Sequence, residues 1–247
     1  GAHLVQRMAK RTRQHRVVVT GLGVLAPNGV GLGPFWQSIL QCKSGIGPIT
    51  LFDASQLDCN VAGEVPDFNP IKYIDRSFKP HRMARFTQFA LAATQMAIKD
   101  AGLTVDELRH IPNLPIILGV STGGLDVVER HLSQVEVKGA DHGIPYCTYA
   151  YMPHSAAVTI ASCLQLKSQP LTLSTACVAG ADAIMNAYAA VREGHADIAI
   201  AGGSDAPINF TAFTSFSAGG LIPQKKLDPK KASRPFDLLR ESGIISE

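Results

Sequence analysis

Several familiar signals are missing from this chain. No apolar run reaches the ~18 residues that a membrane-spanning helix needs. No short apolar core behind a charged start marks a secretory leader. The five cysteines, Cys42, Cys59, Cys147, Cys163 and Cys177, fall at irregular spacing. They form neither a metal-binding pattern nor an even disulfide set, which points to a reducing cytoplasm. The formal charge is only +3. Its basic excess crowds into the start of the chain, where Lys10, Arg11, Arg13 and Arg16 follow one another without an apolar period. Residues 1–15 therefore read as a tag remnant, Gly1 to Arg7 ahead of Met8-Ala9-Lys10, and a disordered basic tail. These features exclude a membrane protein, a metal site and a nucleic-acid partner as leading readings.

What remains is a globular composition. Of 247 residues, 46% are hydrophobic and 17% charged, enough for one large domain or for half of a two-half enzyme. Val17-Val18-Val19 predicts a short buried strand entering the turn Thr20-Gly21-Leu22-Gly23. Those glycines invite a dinucleotide-binding reading, and the spacing refuses it. Ala26 stands at the third glycine, Pro27 follows, and no strand ending in an acidic residue comes roughly 20 positions on. Residues 35–41 predict a helix with Trp36 and Leu40 inward. Val61 to Val65 predicts a short strand in a loop-rich region. Phe86, Phe89, Ala90, Ala93, Met96, Ala97 and Ala101 recur at helical spacing, and Gly102 stops them. The apolar run Pro115 to Val120 predicts a central strand. A helix follows from Leu125, and an alanine-rich one spans Ser155 to Cys163. Tyr146, Tyr149 and Tyr151 read equally as core and as interface. Ala196 to Asp205 predicts another buried strand, and Arg234 and Asp237 are spaced for a local ion pair. Strand, helix and strand alternate, which predicts an α/β fold with a mostly parallel, two-sided sheet.

The chemistry concentrates in Leu171-Thr172-Leu173-Ser174-Thr175-Ala176-Cys177-Val178-Ala179-Gly180. A strand-like approach ends in small residues and a cysteine. Ala181, Ile184, Met185, Tyr188 and Val191 then repeat at helical spacing. Cys177 thus sits where a strand turns into a helix N-terminus, amid unpaired N–H groups and the positive end of the helix dipole. Both favour a thiolate, the nucleophilic form. The layout shares the logic of a serine nucleophile elbow, which holds its nucleophile on a strained turn. The competing reading is one more buried cysteine.

Five separated motifs carry a resemblance: Val18-Val19-Thr20-Gly21-Leu22-Gly23-Val24, Gly45-Ile46, Ser174-Thr175-Ala176-Cys177, Asp197 to Gly203, and Ser233-Arg234-Pro235-Phe236-Asp237. In this order they resemble the β-ketoacyl-(acyl carrier protein) synthases, above all the type II elongating enzymes of fatty acid synthesis and related polyketide ketosynthases. The resemblance covers residues 16–247. It implies a thiolase-like layered α/β fold, α-β-α-β-α when complete, of which 16–247 is mainly the N-terminal half. It also implies a homodimer. The implied reaction is a decarboxylative Claisen condensation, with Cys177 carrying the acyl group as a thioester and malonyl carrier protein supplying the carbanion. The Cys177 backbone N–H is then one oxyanion donor. Thr122 matches a position lining the acyl pocket, where an aliphatic residue is common. Phe216 matches an aromatic beside the nucleophile, with ordinary core as its other reading. The strand Pro170 to Thr175 matches one that pairs across the dimer axis, and the three tyrosines match a region reaching toward the partner's pocket. Lys72, Arg76, Lys79, Arg82 and Arg85 are candidates for docking an acidic acyl carrier protein, or form an ordinary solvated face. No cofactor and no metal are implied.

The family also uses two histidines and a lysine from its second half. The eight histidines here, His3, His15, His81, His110, His131, His142, His154 and His195, match neither position and read as structural or surface groups. Ser242 and Ser246 stand where glycine is usual. The expectation is the first half of a longer enzyme, inactive alone. Two other readings stay open: a non-catalytic, dimerising subunit like a chain-length factor, and a thiolase-type acyltransferase on coenzyme A thioesters.

Overall fold

The computed structural model describes residues 15–247. The expected tail lies outside the described residues except for His15, whose N–H donates to the Arg192 carbonyl at 2.9 Å. Two short antiparallel pairs open the chain. β1 (Leu25–Ala26) pairs with β2 (Gly29–Val30), and β3 (Gly47–Pro48) with β4 (Val61–Ala62); α1 (Leu32–Leu40) lies between them. Three single turns of 3₁₀-helix, Pro70–Lys72, Arg76–Phe78 and Pro80–Arg82, lead into α2 (Arg85–Asp100). A capping box of Thr104 and Glu107 starts α3 (Val105–Arg109). Then come β5 (Leu114–Gly119), α4 (Leu125–Lys138), α5 (Cys147–Tyr151), α6 (Ser155–Leu164), β6 (Ser168–Leu173), α7 (Ala179–Arg192), β7 (Ile200–Gly203), α8 (Phe210–Ala218) and α9 (Pro229–Ala232).

β5, β6 and β7 form one parallel sheet in the order β6-β5-β7. The apolar run of β5 has no alternation because both faces are covered. Ile116 and Leu118 enter the main core with Phe86, Ala90 and Leu91 of α2 and Ala156 and Ile160 of α6. Ile117 points the other way, onto Ala183 and Ala187 of α7. The sheet is thus sandwiched between α2 and α6 on one side and α7 on the other, as the alternation of elements predicts. A second core holds Val61, Ala62, Ile208, Phe213 and Ile222.

Three expectations need correction. Val17 to Val19 forms no strand, and Val19 is 77% exposed. Its apolar character suits a strand, yet no described strand offers it a ladder. The helix expected over 35–41 is α1, but Trp36 and Leu40 are 55% and 61% exposed rather than inward. The buried strand expected over 196–205 is β7, only Ile200–Gly203, and its residues are half-buried or exposed. In α7 Ile184, Met185 and Tyr188 are exposed, while Ala179, Ala183 and Ala187 are buried. Small side chains win the inner face because the helix lies very close to the sheet.

The glycines that mimic a nucleotide loop have another purpose. A Cβ on Gly21 would stand 2.2 Å from the Ala97 carbonyl oxygen, and one on Gly23 1.8 Å from that of Ala93. The loop packs its backbone directly on α2, and the Leu22 N–H donates to Asp100 at 2.9 Å. Ser246, at its glycine-like position, uses its side chain instead, donating to the Gly63 carbonyl at 3.3 Å. The tyrosines divide: Tyr146 packs on the main core, whereas Tyr149 and Tyr151 are exposed. Arg234 and Asp237 do approach, at 4.0 Å.

Arg85 leaves the expected basic face. It forms an ion pair with Glu247, donates to the Val65 carbonyl at 3.2 Å, and lies over the rings of Phe68 and Phe89. The Glu247 side chain is fully buried and also accepts the Val65 N–H at 2.8 Å. Removing the cation strands a buried carboxylate. Arg85→Ala in the full-length protein is therefore expected to cost roughly 3 kcal/mol, at the low end for such pairs because Arg85 keeps 23% exposure. Arg82→Ala, exposed, is expected to stay within about 0.5 kcal/mol. Urea unfolding midpoints check both.

Candidate active site

The sheet ends its three strands on one rung. Gly119 of β5 is opposite Leu173 of β6 and Gly203 of β7. Just beyond, the Val120 N–H donates to the Leu173 carbonyl at 3.0 Å and the Ser204 N–H to the Gly119 carbonyl at 3.1 Å. Three segments leave from here: Ser121-Thr122, Ser174 to Cys177, and Ser204-Asp205. This carboxyl edge is where parallel α/β sheets place ligands.

Cys177 follows β6 through one 3₁₀ turn, Ala176–Val178, that runs straight into α7. Ala176 has φ 56°, a left-handed conformation that costs a residue with a Cβ roughly 1–2 kcal/mol. Strain of this kind collects at functional turns, and it matches the strained elbow expected from the sequence. The Thr175 hydroxyl donates to Asp182, in the first turn of α7, at 2.5 Å. Cys177 is exposed. The bland expectation of a buried cysteine therefore fails for this residue, while Cys59 and Cys147 fulfil it.

Burial also separates the cysteines chemically. Desolvation pushes the thiols of Cys59, Cys147 and Cys163 up, which disfavours their thiolates. In Cys59 a hydrogen bond with the Val61 backbone and the charge of Lys226 oppose that push. Cys42 is exposed and lies just past the end of α1.

Bare backbone holds the elbow in place. A Cβ on Gly119 would lie 2.1 Å from the carbonyl carbon of Ala179 and 2.3 Å from the nitrogen of Gly180. One on Gly203 would lie 2.9 Å from the Gly180 Cα. The ends of β5 and β7 thus support the first turn of α7 with no side chain between.

Thr122 shares this edge with Cys177. It is half-buried, and its N–H and hydroxyl both donate to one oxygen of Asp205, at 2.7 and 2.9 Å. Phe216 does not join them: it is half-buried on α8 against the second core, which is its ordinary-core reading. Asp205 escaped the sequence reading. The one signal for it is an acidic residue directly after the small-residue end of a strand.

The described histidines have local roles. The Ile144 N–H donates to Nδ1 of His131 at 2.9 Å. His110 meets the Asp106 carbonyl at 2.7 Å, and His195 lies 3.3 Å from Glu193. His3 is outside the described residues. Among the described residues no cluster of three His, Cys, Asp or Glu is arranged to hold a metal. No described helix is long and apolar enough to cross a membrane.

A cysteine elbow on the carboxyl edge of a parallel sheet, with helices on both sides, is the layout expected for one half of a thiolase-like fold. Residues 14–246 match the family model for the β-ketoacyl synthase N-terminal domain. A 3-oxoacyl-[acyl-carrier-protein] synthase 2 of Synechocystis sp. is 37% identical over 232 residues, covering 94% of this chain and 55% of the relative. A putative polyketide beta-ketoacyl synthase 1 of Streptomyces halstedii is 36% identical over 239 residues, covering 94% and 56%. Among solved structures, the ishigamide ketosynthase/chain length factor superposes with TM-score 0.80 at 31% identity, over 93% of this chain and 55% of that one. A type II polyketide synthase acyl carrier protein in complex with its ketosynthase, bound to the hexaketide, gives TM-score 0.80 at 30% identity, over 94% and 56%. The chain belongs to the β-ketoacyl synthase family and matches its N-terminal domain. It spans about half the length of the curated relatives it matches.

The backbone contact makes a sharp comparison within one sheet. Gly119→Ala must move either β5 or the start of α7, and is expected to destabilise by roughly 1–3 kcal/mol. Gly202→Ala, where a Cβ meets nothing within 4 Å, is expected to stay within about 0.5 kcal/mol. Chemical denaturation of the two variants reads the difference.

Proposed function

We propose that this chain is the nucleophile-bearing half of a 3-oxoacyl-(acyl carrier protein) synthase acting in fatty acid or polyketide chain elongation. The single observation carrying the reading is the exposed Cys177 on its strained turn at the carboxyl edge of the sheet. In this reaction the Cys177 thiolate attacks the thioester carbonyl of an acyl carrier protein, and the carrier's thiol leaves. The carboxylate of malonyl carrier protein departs as CO₂, leaving its electron pair on the adjacent carbon. That carbon attacks the Cys177 thioester; the C–S bond breaks, the thiolate returns, and the product stays on the carrier as a 3-oxoacyl chain. Negative charge develops on the thioester oxygen in both attacks. The first N–H groups of a helix have no acceptor within it, so the Cys177 N–H suits the role of oxyanion donor. Two histidines and a lysine from a second half would promote decarboxylation, as the family resemblance implies. Thr122 would line the acyl pocket.

The outer surface supports the rest of the assembly. Ile184, Met185 and Tyr188 of α7 and Val178 beside it are exposed apolar groups, suited to a second layered half. Among the described residues β6 pairs with β5 alone, and Leu171 on it is exposed, an edge suited to pairing across a homodimer axis. Lys72, Arg76, Lys79 and Arg82 are exposed on the turns before α2 and suit an acidic carrier protein; Arg85 is withdrawn into its ion pair. The irregular cysteine spacing fits a cytoplasmic enzyme. A chain-length-factor-like subunit fits less well, since a strained elbow is costly without a nucleophile's task. A thiolase-type acyltransferase would share the elbow but use coenzyme A thioesters.

Intact mass of the full-length protein after incubation with acyl carrier protein thioester is expected to show one acyl adduct, on Cys177. Cys177→Ala should abolish it and lower condensation by roughly 10⁴-fold or more. An adduct formed equally well from acetyl coenzyme A, with no use of malonyl carrier protein, would turn the assignment to the thiolase type. Charge reversal at Lys72 and Arg76 is expected to raise KM for the carrier protein, an effect that shrinks as salt is added.

A further inference from the structure

Asp205 is the only acidic side chain described at the carboxyl edge of the sheet that binds another strand's exit turn. It leaves β7 directly after Ser204, and its carboxylate faces the segment leaving β5. Oδ1 accepts the Ser121 N–H at 3.0 Å, the Thr122 N–H at 2.7 Å and the Thr122 hydroxyl at 2.9 Å. Oδ2 accepts the Ser121 N–H at 2.9 Å. Two consecutive amides and a hydroxyl thus converge on one ionised group, the stronger class of hydrogen bond. The bonds cross more than eighty residues of sequence, so the turn is held by tertiary contact. Further order comes from Gly123, which takes φ +68° and would press a Cβ to 2.5 Å from the Tyr151 carbonyl oxygen. The Gly124 N–H donates to that same oxygen at 2.9 Å. The turn is pinned at both ends: by Asp205 on one side and by the end of α5 on the other.

The bond to the Thr122 hydroxyl has a consequence for shape. It restrains the rotamer of Thr122 and occupies its hydroxyl proton, which leaves the methyl group as the part of the side chain free for apolar contact.

We propose that Asp205 is a positioning residue for acyl-chain selection: by clasping Ser121 and Thr122 it sets the wall that Thr122 presents to the acyl group. The proposal rests on the ketosynthase reading of the same sheet edge. Asp205 touches neither the nucleophile nor substrate, and acts through Thr122.

Three variants of the full-length protein test it: Asp205→Ala, Asp205→Asn and Thr122→Val. Asp205→Ala removes every acceptor. Asp205→Asn keeps one oxygen for the two Thr122 bonds now made to Oδ1, but puts a donor where Oδ2 accepts the Ser121 N–H. Thr122→Val keeps the shape but removes the hydroxyl. Amide hydrogen exchange over residues 119–125 reads the clasp without substrate. Asp205→Ala is expected to speed exchange there at least tenfold, with Asp205→Asn between it and the parent. Competition between two-carbon and longer acyl carrier proteins, followed by intact mass on Cys177, reads selection. Asp205→Ala is expected to change the ratio of kcat/KM between short and long acyl groups at least fivefold, and Asp205→Asn to recover most of it. Thr122→Val, which frees the wall from the carboxylate, is expected to shift the ratio in the same direction by a smaller factor. Unchanged exchange at 119–125 in Asp205→Ala overturns the clasp. Faster exchange with an unaltered short-to-long ratio, or with all chain lengths slowed equally, leaves a purely structural tether and overturns the role in selection. A parent enzyme that takes no acyl group on Cys177 overturns the ketosynthase reading and the selection role with it, while the exchange result still decides whether the clasp exists.

Discussion

The site depends on a contact between backbones. Gly119 and Gly203, at the ends of two parallel strands, meet the first turn of α7 with nothing between them. That closeness sets the height of the helix over the sheet. It also explains why the inner face of α7 is Ala179, Ala183 and Ala187 rather than the larger residues of the same helix. A helix spaced by leucines would stand farther off, near the usual 10 Å between packed layers, and the turn carrying Cys177 would lose its support. The left-handed Ala176 is the local cost of turning from strand to helix within so short a distance.

Stability and chemistry are kept apart in this arrangement. The main core lies on the α2 and α6 side of the sheet, around Phe86, Leu91, Ile116 and Ile160. The opposite face has only a thin layer, Ile117 with Ala183 and Ala187, and then the exposed stripe of α7. The well-packed side holds the strands rigid; their carboxyl ends carry Cys177, Thr122 and Asp205. A rigid platform under a strained turn is what positional chemistry requires, because a nucleophile gains from being held before its substrate arrives.

Polar groups do the fastening where hydrocarbon cannot. Glu247 enters a buried site and is met there by Arg85 and the Val65 N–H. Asp205 draws together two strand exits, and Asp182 draws Thr175 toward its own helix. Glu247 and Asp205 sit where main-chain donors would otherwise lack partners, so each is matched rather than merely tolerated.

Much of this was legible in the chain itself. Periodicity located α2, α4, α6 and α7, the unbroken apolar run located β5, and the small residues before Cys177 announced a tight turn at a helix start. Those features are local: they depend on spacing and side-chain size. The failures are of one kind. Val17 to Val19 looks like a strand, but a strand needs a neighbour. Trp36 and Leu40 look inward, but hydrophobicity states only that a residue prefers cover, and which layer covers it is decided by packing. Arg85 reads as surface charge until Glu247, 162 residues away, arrives beside it. Asp205 has no sequence pattern to mark it, since its partners, Ser121 and Thr122, come together with it only when β5 and β7 pair. Sequence by itself determined most of the helices, the central strand and the place of Cys177 at a strand-to-helix turn, because backbone conformation follows from nearby residues. Tertiary structure alone decided which faces are buried and which acids support the site, because those depend on contacts between distant segments.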